Sequence, residues 1–194
     1  LEALQPMKQA CLSVGADRFM GVATSGFRAA SRNGVEVAEQ ISRQTGIELR
    51  VVTPEAEGKI GFFAALSKLS QTPRHLLVWD IGGGSMQFAL GSRSSKGGWS
   101  VEVHSIDVGA AVFLEEVLPE ALGKSPQSDL HPFNRKSMGL AKLAARKLLD
   151  RLPSAFLKKL QKLHPSAVGI GGVHADLGAT LAPGKDRYTS AMTE

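Results

Sequence analysis

The segment DIGGGS, Asp80–Ser85, dictates more of this chain's fold than any other stretch. It stands between two apolar runs, HLLVWD (75–80) and MQFALG (86–91). Both runs are typical of strands, so the glycines form a tight turn between them. A strand follows where a dinucleotide-binding loop has a helix, and the Lys-Ser or Lys-Thr of a Walker loop is missing. The segment is therefore neither a Rossmann loop nor a Walker loop.

Around this turn the chain alternates between helical and strand patterns. The first half predicts strands at 18–24 and 47–52, with helices at 1–14, 34–45 and 53–69 and a short turn or helix at 25–32. The second half predicts strands at 75–80, 86–91, 99–106 and 167–170, and helices at 109–118, 133–152, 154–163 and after Gly172. This order predicts an α/β fold with a mixed sheet in each half and a boundary near QTPR (71–74).

The DIGGGS turn has the chemistry of a phosphate and metal site. Glycine amides at Gly82, Gly83 and Gly84, with Ser85, can face an anion, since no side chain blocks the backbone. Asp80, at a strand end beside such a loop, suits Mg²⁺ held through a carboxylate and water. The alternative is a plain β-hairpin in which Asp80 caps the turn.

A second candidate anion site is VATSGFRAASRNG (22–34). The preceding strand delivers Thr24 and Ser25 to its end, and Arg28 follows in the first helical turn. Hydroxyls, amides and a guanidinium in one place can hold a tetrahedral oxyanion. Ordinary N-capping by Thr24 or Ser25, with a solvated arginine, explains the same pattern.

Two further segments end strands in the same way. In TPEAEG (53–58), Glu55 and Glu57 open a helix, where acids usually complement the helix dipole, although a general base for water has the same pattern. Gly171 and Gly172 form a strand–glycine–helix corner that either touches phosphate or allows close packing.

Composition narrows the class of protein. The chain is 43% hydrophobic and 21% charged, which is typical of a globular protein. It contains no apolar run of about 20 residues, so no membrane span is expected. The single cysteine, Cys11, favours a cytoplasmic protein and fits a helical pattern as a small core residue. The N-terminus begins mid-helix without Met, so we expect a fragment.

The formal charge of +5 is concentrated in one segment. Residues 135–162 contain nine basic side chains and one acid, a net +8, which leaves the rest of the chain at −3. A solvated helical face is one interpretation. The other is a cationic surface that attracts a long polyanion.

Taken together, these motifs resemble the exopolyphosphatase / guanosine pentaphosphate phosphohydrolase (Ppx/GppA) family. The matching segments are ATSGFRAASRNG, TGIELRVV, TPEAEG and DIGGGSMQ, in the family's order, followed by DVGAAVFLE and GIGGVHADL. The resemblance implies an actin-like ATPase fold of two ribonuclease-H-like lobes. Residues 1–72 would be the latter part of the first lobe and 73–194 the earlier part of the second, both incomplete.

The resemblance also implies roles for individual residues. Glu57 would be the base for the attacking water, Arg28 would grip the phosphate chain, and Asp80 would hold Mg²⁺. A bacterial, cytoplasmic hydrolase of polyphosphate or guanosine pentaphosphate is expected, without a specific nucleic-acid or membrane partner. A homodimer is one assembly left open.

Four positions depart from the family pattern: Ala56 replaces a glutamate, Met86 replaces a threonine, Gln87 replaces a carboxylate that can bind metal, and Val173 replaces a threonine. These departures keep two alternatives open. The chain could be a phosphate- or alarmone-binding sensor module with little activity, or an actin-like kinase or ATPase.

Overall fold

The computed structural model describes residues 2–125 and 134–181, and within the chain it distinguishes two compact units, Leu1–Pro54 and Glu55–Glu194. Each unit is described by itself below. The loop predicted at 123–131 and the start of the helix predicted at 133 lie partly outside the described residues.

The first unit is built around a parallel pair of strands. Its elements, in chain order, are α1 (Leu4–Ser13), β1 (Met20–Ala23), α2 (Ser25–Ala29), α3 (Gly34–Thr45) and β2 (Glu48–Val51). The strands pair in register from Met20 with Glu48 to Ala23 with Val51. Helix α3 ends as predicted at Gly46, which has a left-handed φ of 66°, a conformation that glycine adopts without strain.

The environment of Cys11 in helix α1 differs from the predicted core position. The cysteine is exposed, and none of the residues of α1 is buried. The prediction of a small core residue was wrong, because helical periodicity identifies a helix without showing which of its faces is covered.

The second unit contains a four-stranded mixed sheet in the order β5-β4-β3-β6. Its elements are α4 (Pro54–Leu66), β3 (His75–Ile81), β4 (Met86–Arg93), β5 (Trp99–Ile106), α5 (Ala110–Val112), a π-helical turn (Phe113–Val117), α6 (Leu118–Ala121), α7 (Arg135–Leu149), α8 (Ser154–Leu163), β6 (Ser166–Ile170) and α9 (Gly172–Leu181). Strand β3 pairs with β4 antiparallel and with β6 parallel. Helix α4 belongs to this unit by its packing, whereas the sequence places it before the boundary at 72. The assignment of the halves to two lobes stays a prediction.

Side chains alternate between the two faces of this sheet, and each face has its own core. On the first face, Phe62 of α4 packs against Leu76, Val78 and Ala89. On the second, strand residues including Phe88 and Leu90 pack against Leu148, Leu152 and Phe156 of the α7–α8 region. The α/β class is confirmed. Over the described residues, no helix combines the length and apolar character that crossing a membrane requires.

Candidate active site

The face of the sheet that α4 covers changes from apolar to polar at one end. Leu76 and Val78 of β3 are fully buried there, and the next residue on the same face is Asp80. Asp80 pairs with Gln87 on β4, which in turn pairs with Ser105 on β5. The alternation of strand side chains therefore places three polar groups in a row across three strands, directly beyond the apolar core.

Helix α4 brings Glu57, and not Glu55, to this polar end. Glu55 is exposed, and its Oε1 lies 2.6 Å from Lys59 Nζ, which lowers the pKa of Glu55 first through that hydrogen bond and then through the charge of Lys59. Glu57 is half-buried and lies close enough to Asp80 for its charge to act on that carboxyl. The two acids of TPEAEG thus have different environments, and Glu55 fits the interpretation of a solvated helix-start acid.

Asp80 lies in a crowded position between two backbone segments. A Cβ added at Gly61 of α4 would lie 3.5 Å from Asp80 Oδ2, and one added at Gly171 would lie 3.0 Å from Asp80 Oδ1. Burial raises the pKa of the Asp80 carboxyl, and the nearby Glu57 raises it further. Both causes disfavour an ionised carboxylate, so a cation bound here would relieve an unfavourable interaction.

The glycine turn is held from behind by the segment that follows β5. Ala110 N–H donates to Gly82 O at 2.8 Å and Ala111 N–H donates to Gly83 O at 2.9 Å. Gly109 permits this approach, because a Cβ there would lie 2.4 Å from Gly82 O. Within the described part of the chain, the N–H groups of Gly83 and Gly84 donate to no backbone carbonyl. Two amides of the loop are thus available for an anion.

Ser85 and Gln87 form a buried network beside Asp80. Their residues are 2% and 1% exposed, so their polar atoms depend on protein partners. Gln87 Nε2 donates to Ser85 Oγ at 3.0 Å and to Ser105 Oγ at 3.3 Å. At this position the chain therefore has a neutral amide held between two hydroxyls, next to two carboxylates.

The Gly171–Gly172 corner packs against the same site. Gly171 has φ of +94°, and a Cβ there would lie 2.5 Å from Ile81 O, so the close-packing interpretation holds for this residue. Nothing lies within 4 Å of a Cβ built at Gly172, the first residue of α9. An added side chain would therefore clash with the backbone at Gly171 but has open space at Gly172.

In the first unit, Thr24, Ser25 and Arg28 lie where β1 ends. Thr24 is the N-cap of α2, but its side chain forms no capping hydrogen bond, and its carbonyl accepts from Phe27 and Arg28 N–H at 3.1 Å each. Ser25 is the first residue of α2. Arg28 is half-buried, and its Nη1 donates to Val52 O at 2.9 Å, just after β2. Arg28 is therefore not the freely solvated arginine of the alternative interpretation.

The donor set of the second unit fits Mg²⁺ better than a transition metal. Among residues 2–125 and 134–181, no group of three or more His, Cys, Asp or Glu side chains is arranged to hold a metal. The pair Asp80 and Glu57 provides oxygen donors alone, and Mg²⁺ is commonly bound by one or two carboxylates together with substrate phosphates and water.

Several residues that shape this site were not identified from the sequence. Ser105 orients Gln87, Gly109 supports the turn, and Gly58 and Gly61 let α4 approach the sheet. At Gly58 an added Cβ would lie 2.5 Å from Val103 Cγ1. Two glycines inside a helix, each unfavourable there by about 1 kcal/mol relative to alanine, were a signal of such close packing.

Comparisons with known proteins show which family this chain resembles. A sequence model of the Ppx/GppA phosphatase family matches residues 1–183. Exopolyphosphatase 1 of Mycobacterium tuberculosis and of Mycobacterium bovis is 29% identical over 91 residues, which are 47% of this chain and 26% of the relative. The chain thus aligns with about a quarter of these curated relatives.

Solved structures extend the similarity to the fold. A PPX-GPPA enzyme of Aquifex aeolicus is 25% identical with a TM-score of 0.61, over 92% of this chain and 52% of that one. An exopolyphosphatase of Cytophaga hutchinsonii is 16% identical with a TM-score of 0.68, over 98% of this chain and 55% of that one. This chain therefore spans about half the length of the solved relatives and shares their fold.

Proposed function

Because the chain belongs to the Ppx/GppA phosphatase family, we propose that the whole protein is a phosphohydrolase that releases a terminal phosphate from polyphosphate or guanosine pentaphosphate. The observation that carries this proposal is the placement of Glu57 beside Asp80, next to a glycine loop with available amides. The names of the Mycobacterium and Cytophaga relatives favour polyphosphate as the substrate.

Mg²⁺ is the proposed cofactor, with Asp80 as the side chain that would hold it. When bound, it would supply positive charge against the phosphate groups. Phosphoryl transfer depends on positioning and on charge stabilisation more than on covalent chemistry. The residues of this chain therefore act by holding the phosphate and the water in place.

Each group has a defined part in this proposal. Glu57 orients the attacking water and accepts its proton, and its half-buried position keeps the carboxylate near the site. The amides of Gly83 and Gly84 donate to the phosphate oxygens that carry charge in the transition state. Ser85 and Gln87 hold the turn through their buried hydrogen bond.

Roles in phosphate binding are also proposed for the first unit and for the corner before α9. Arg28, held by Val52 O, presents its guanidinium where Thr24 and Ser25 end β1. Gly171 and Gly172 are proposed to contact phosphate because they form a strand–glycine–helix corner. Gly171 is also required for close packing. A cytoplasmic location and a homodimer belong to this proposal as well.

A second candidate is a binding module that holds a phosphorylated ligand with little turnover. The buried amide of Gln87 favours it, because an amide donating to two hydroxyls supplies no negative charge to a cation.

Phosphate release by the full-length protein, compared on polyphosphate, guanosine pentaphosphate and ATP with Mg²⁺, tests these assignments. Release from either of the first two supports the phosphohydrolase. Tight binding without release favours the binding module, and faster release from ATP favours a kinase-like or ATPase activity.

A further inference from the structure

The second unit has an open groove at the opposite end of its sheet from Asp80. The groove has a volume of about 400 Å³ and lies between α8 and the strands β4 and β5. Ser92, Ser100 and Glu102 lie on its floor; Ser92 pairs with Ser100 in the sheet, and Ser92 Oγ lies 2.9 Å from His75 Nδ1. Lys158, Lys159 and Lys162 of α8 form its other side.

This groove is separate from the candidate active site. Ser92 pairs with His75 at the start of β3, whereas Gln87 pairs with Asp80 near its end. Five strand residues at about 3.3 Å each separate the two positions by roughly 17 Å. Side chains of alternate parity also point to opposite faces, so Ser92 and Gln87 do not share a surface.

Two of the three lysines have their charge available. Lys159 contacts Glu102, whose other oxygen lies 2.9 Å from His104 Nε2. The hydrogen bond from Lys159, followed by that from His104, lowers the pKa of Glu102, so its negative charge is matched by these partners. Lys158 and Lys162 are exposed and form no ion pair within the described part of the chain. They are four residues apart and therefore lie on one side of α8.

We propose that this groove is a second, non-catalytic binding site that takes a condensed phosphate anion. Ammonium groups act as point charges that attract phosphate without requiring one fixed geometry, and the exposed Ser100 hydroxyl can donate to its oxygens. The volume lies in the range of small-ligand sites, roughly 300–1,000 Å³. Among the described residues no aromatic side chain lines the groove, so this part of the chain offers no stacking surface of the kind on which single-stranded nucleic acids depend.

A neighbouring groove strengthens the positive character of this end of the sheet. It has a volume of about 450 Å³ and is lined by Arg74, Arg93, Ser94 and Ser95, with no acidic residue in its lining. Arg74 and Arg93 flank the start of β3 and the end of β4, and Arg93 N–H donates to Arg74 O at 2.9 Å.

The proposal is tested by calorimetric titration of the full-length protein with tripolyphosphate in the presence of a chelator, which prevents turnover. The test variant is Lys158→Glu/Lys162→Glu. Its matched control is Lys142→Glu/Lys147→Glu, which makes the same charge change at exposed positions of α7 outside the groove. The test variant is expected to weaken binding at least about tenfold, since two nearby attractions become repulsions. The control changes affinity by no more than about twofold, because ~0.15 M salt screens distant charges.

Equal losses in the two variants would overturn the proposal, since the effect would then come from net charge and not from the groove. Unchanged affinity in the test variant would overturn it too. If that variant melts at a lower temperature than the control, Ser100→Ala replaces it and is expected to weaken binding about fivefold without a change in charge. Tighter binding of a single-stranded RNA through the same lysines contradicts a condensed-phosphate site. Tripolyphosphate bound at the candidate active site titrates as a separate class of sites that neither lysine variant changes, so failure of this proposal is distinguishable from failure of the proposed hydrolysis.

Discussion

Glu57, in the first turn of α4, lies beside Asp80, at the end of β3, and its charge raises the pKa of the Asp80 carboxyl that burial has already raised. The fold thus holds two acids close together, and the charge of one disfavours ionisation of Asp80. Such a pair is unfavourable for folding alone and becomes useful when a cation or a proton is to be handled. The predictions below follow from this relationship and from the glycines that enclose it.

Asp80→Asn is expected to stabilise the protein at neutral pH in a chelator. A carboxyl whose pKa is raised above its ordinary value of 3.8 binds more protons in the folded state than in the unfolded state. Folding stability therefore falls as the pH rises from about 4 through the folded pKa, and the asparagine variant lacks this fall. Urea unfolding between pH 4 and pH 7 measures the effect. Asp107→Asn, at an exposed position, serves as the control and keeps the wild-type profile. An Asp80→Asn profile identical to wild type would contradict the strained pair.

Gly171→Ala is expected to lower the free energy of unfolding by about 1–3 kcal/mol, because alanine is strained at this positive φ and its Cβ would meet the backbone of Ile81. Gly172→Ala is the neighbouring control, with open space around its Cβ. It should change stability by less than about 0.5 kcal/mol. Chemical denaturation of both variants measures their free energies of unfolding. Equal losses in the two variants would contradict the close backbone contact at Gly171.

Gln87→Glu is expected to lower stability in a chelator by about 1–3 kcal/mol, since a third carboxylate would be buried beside Asp80 and Glu57. Mg²⁺ should raise the melting temperature of this variant more than that of wild type, because the added carboxylate strengthens a cation site. Gln161→Glu on the exposed side of α8 adds the same charge elsewhere. If Mg²⁺ raises the melting temperatures of the Gln87→Glu and Gln161→Glu proteins equally, Gln87 does not lie at a cation site.

Arg28→Met is expected to lower stability by about 1.5–3 kcal/mol through loss of the charged hydrogen bond to Val52 O. It should also weaken phosphate binding. Arg43→Met, at an exposed position on α3, provides the control with the same loss of charge. A stability loss without any change in phosphate affinity would leave Arg28 a purely structural residue.

The sequence predicted most of the elements because their signals are local. Strand β5 spans the predicted 99–106, and α8 spans the predicted 154–163, since both have clear hydrophobic periodicity and turn residues at their ends. The packing of α4 was not predicted, because QTPR marks a turn and carries no information about which sheet the preceding helix covers. The exposure of Cys11 was also not predicted, because the helical pattern of α1 does not show which of its faces is covered.

For the candidate site, the positions of Asp80, Glu57 and the glycine turn at element ends predicted functional roles, and these roles stay predictions. The residue pattern alone did not distinguish Glu57 from Glu55, since that difference depends on which side of α4 faces the sheet; the family resemblance assigned the base to Glu57. The hydrogen bonds of Gln87 to Ser85 and Ser105 depend on strand register, and Ser105 lies on a strand separated from Gln87 by a hairpin. Long-range pairing of this kind leaves no mark in a short motif.

The central claim is that Glu57 activates water for phosphate release, and one comparison tests it directly. Initial rates of phosphate release from polyphosphate are measured with Mg²⁺ for full-length wild-type protein, Glu57→Gln and Glu55→Gln. Loss of a general base is expected to lower the Glu57→Gln rate by about 10²–10⁴-fold, whereas Glu55→Gln, which changes only an exposed contact with Lys59, stays near wild type. A Glu57→Gln rate equal to that of wild type would contradict the account.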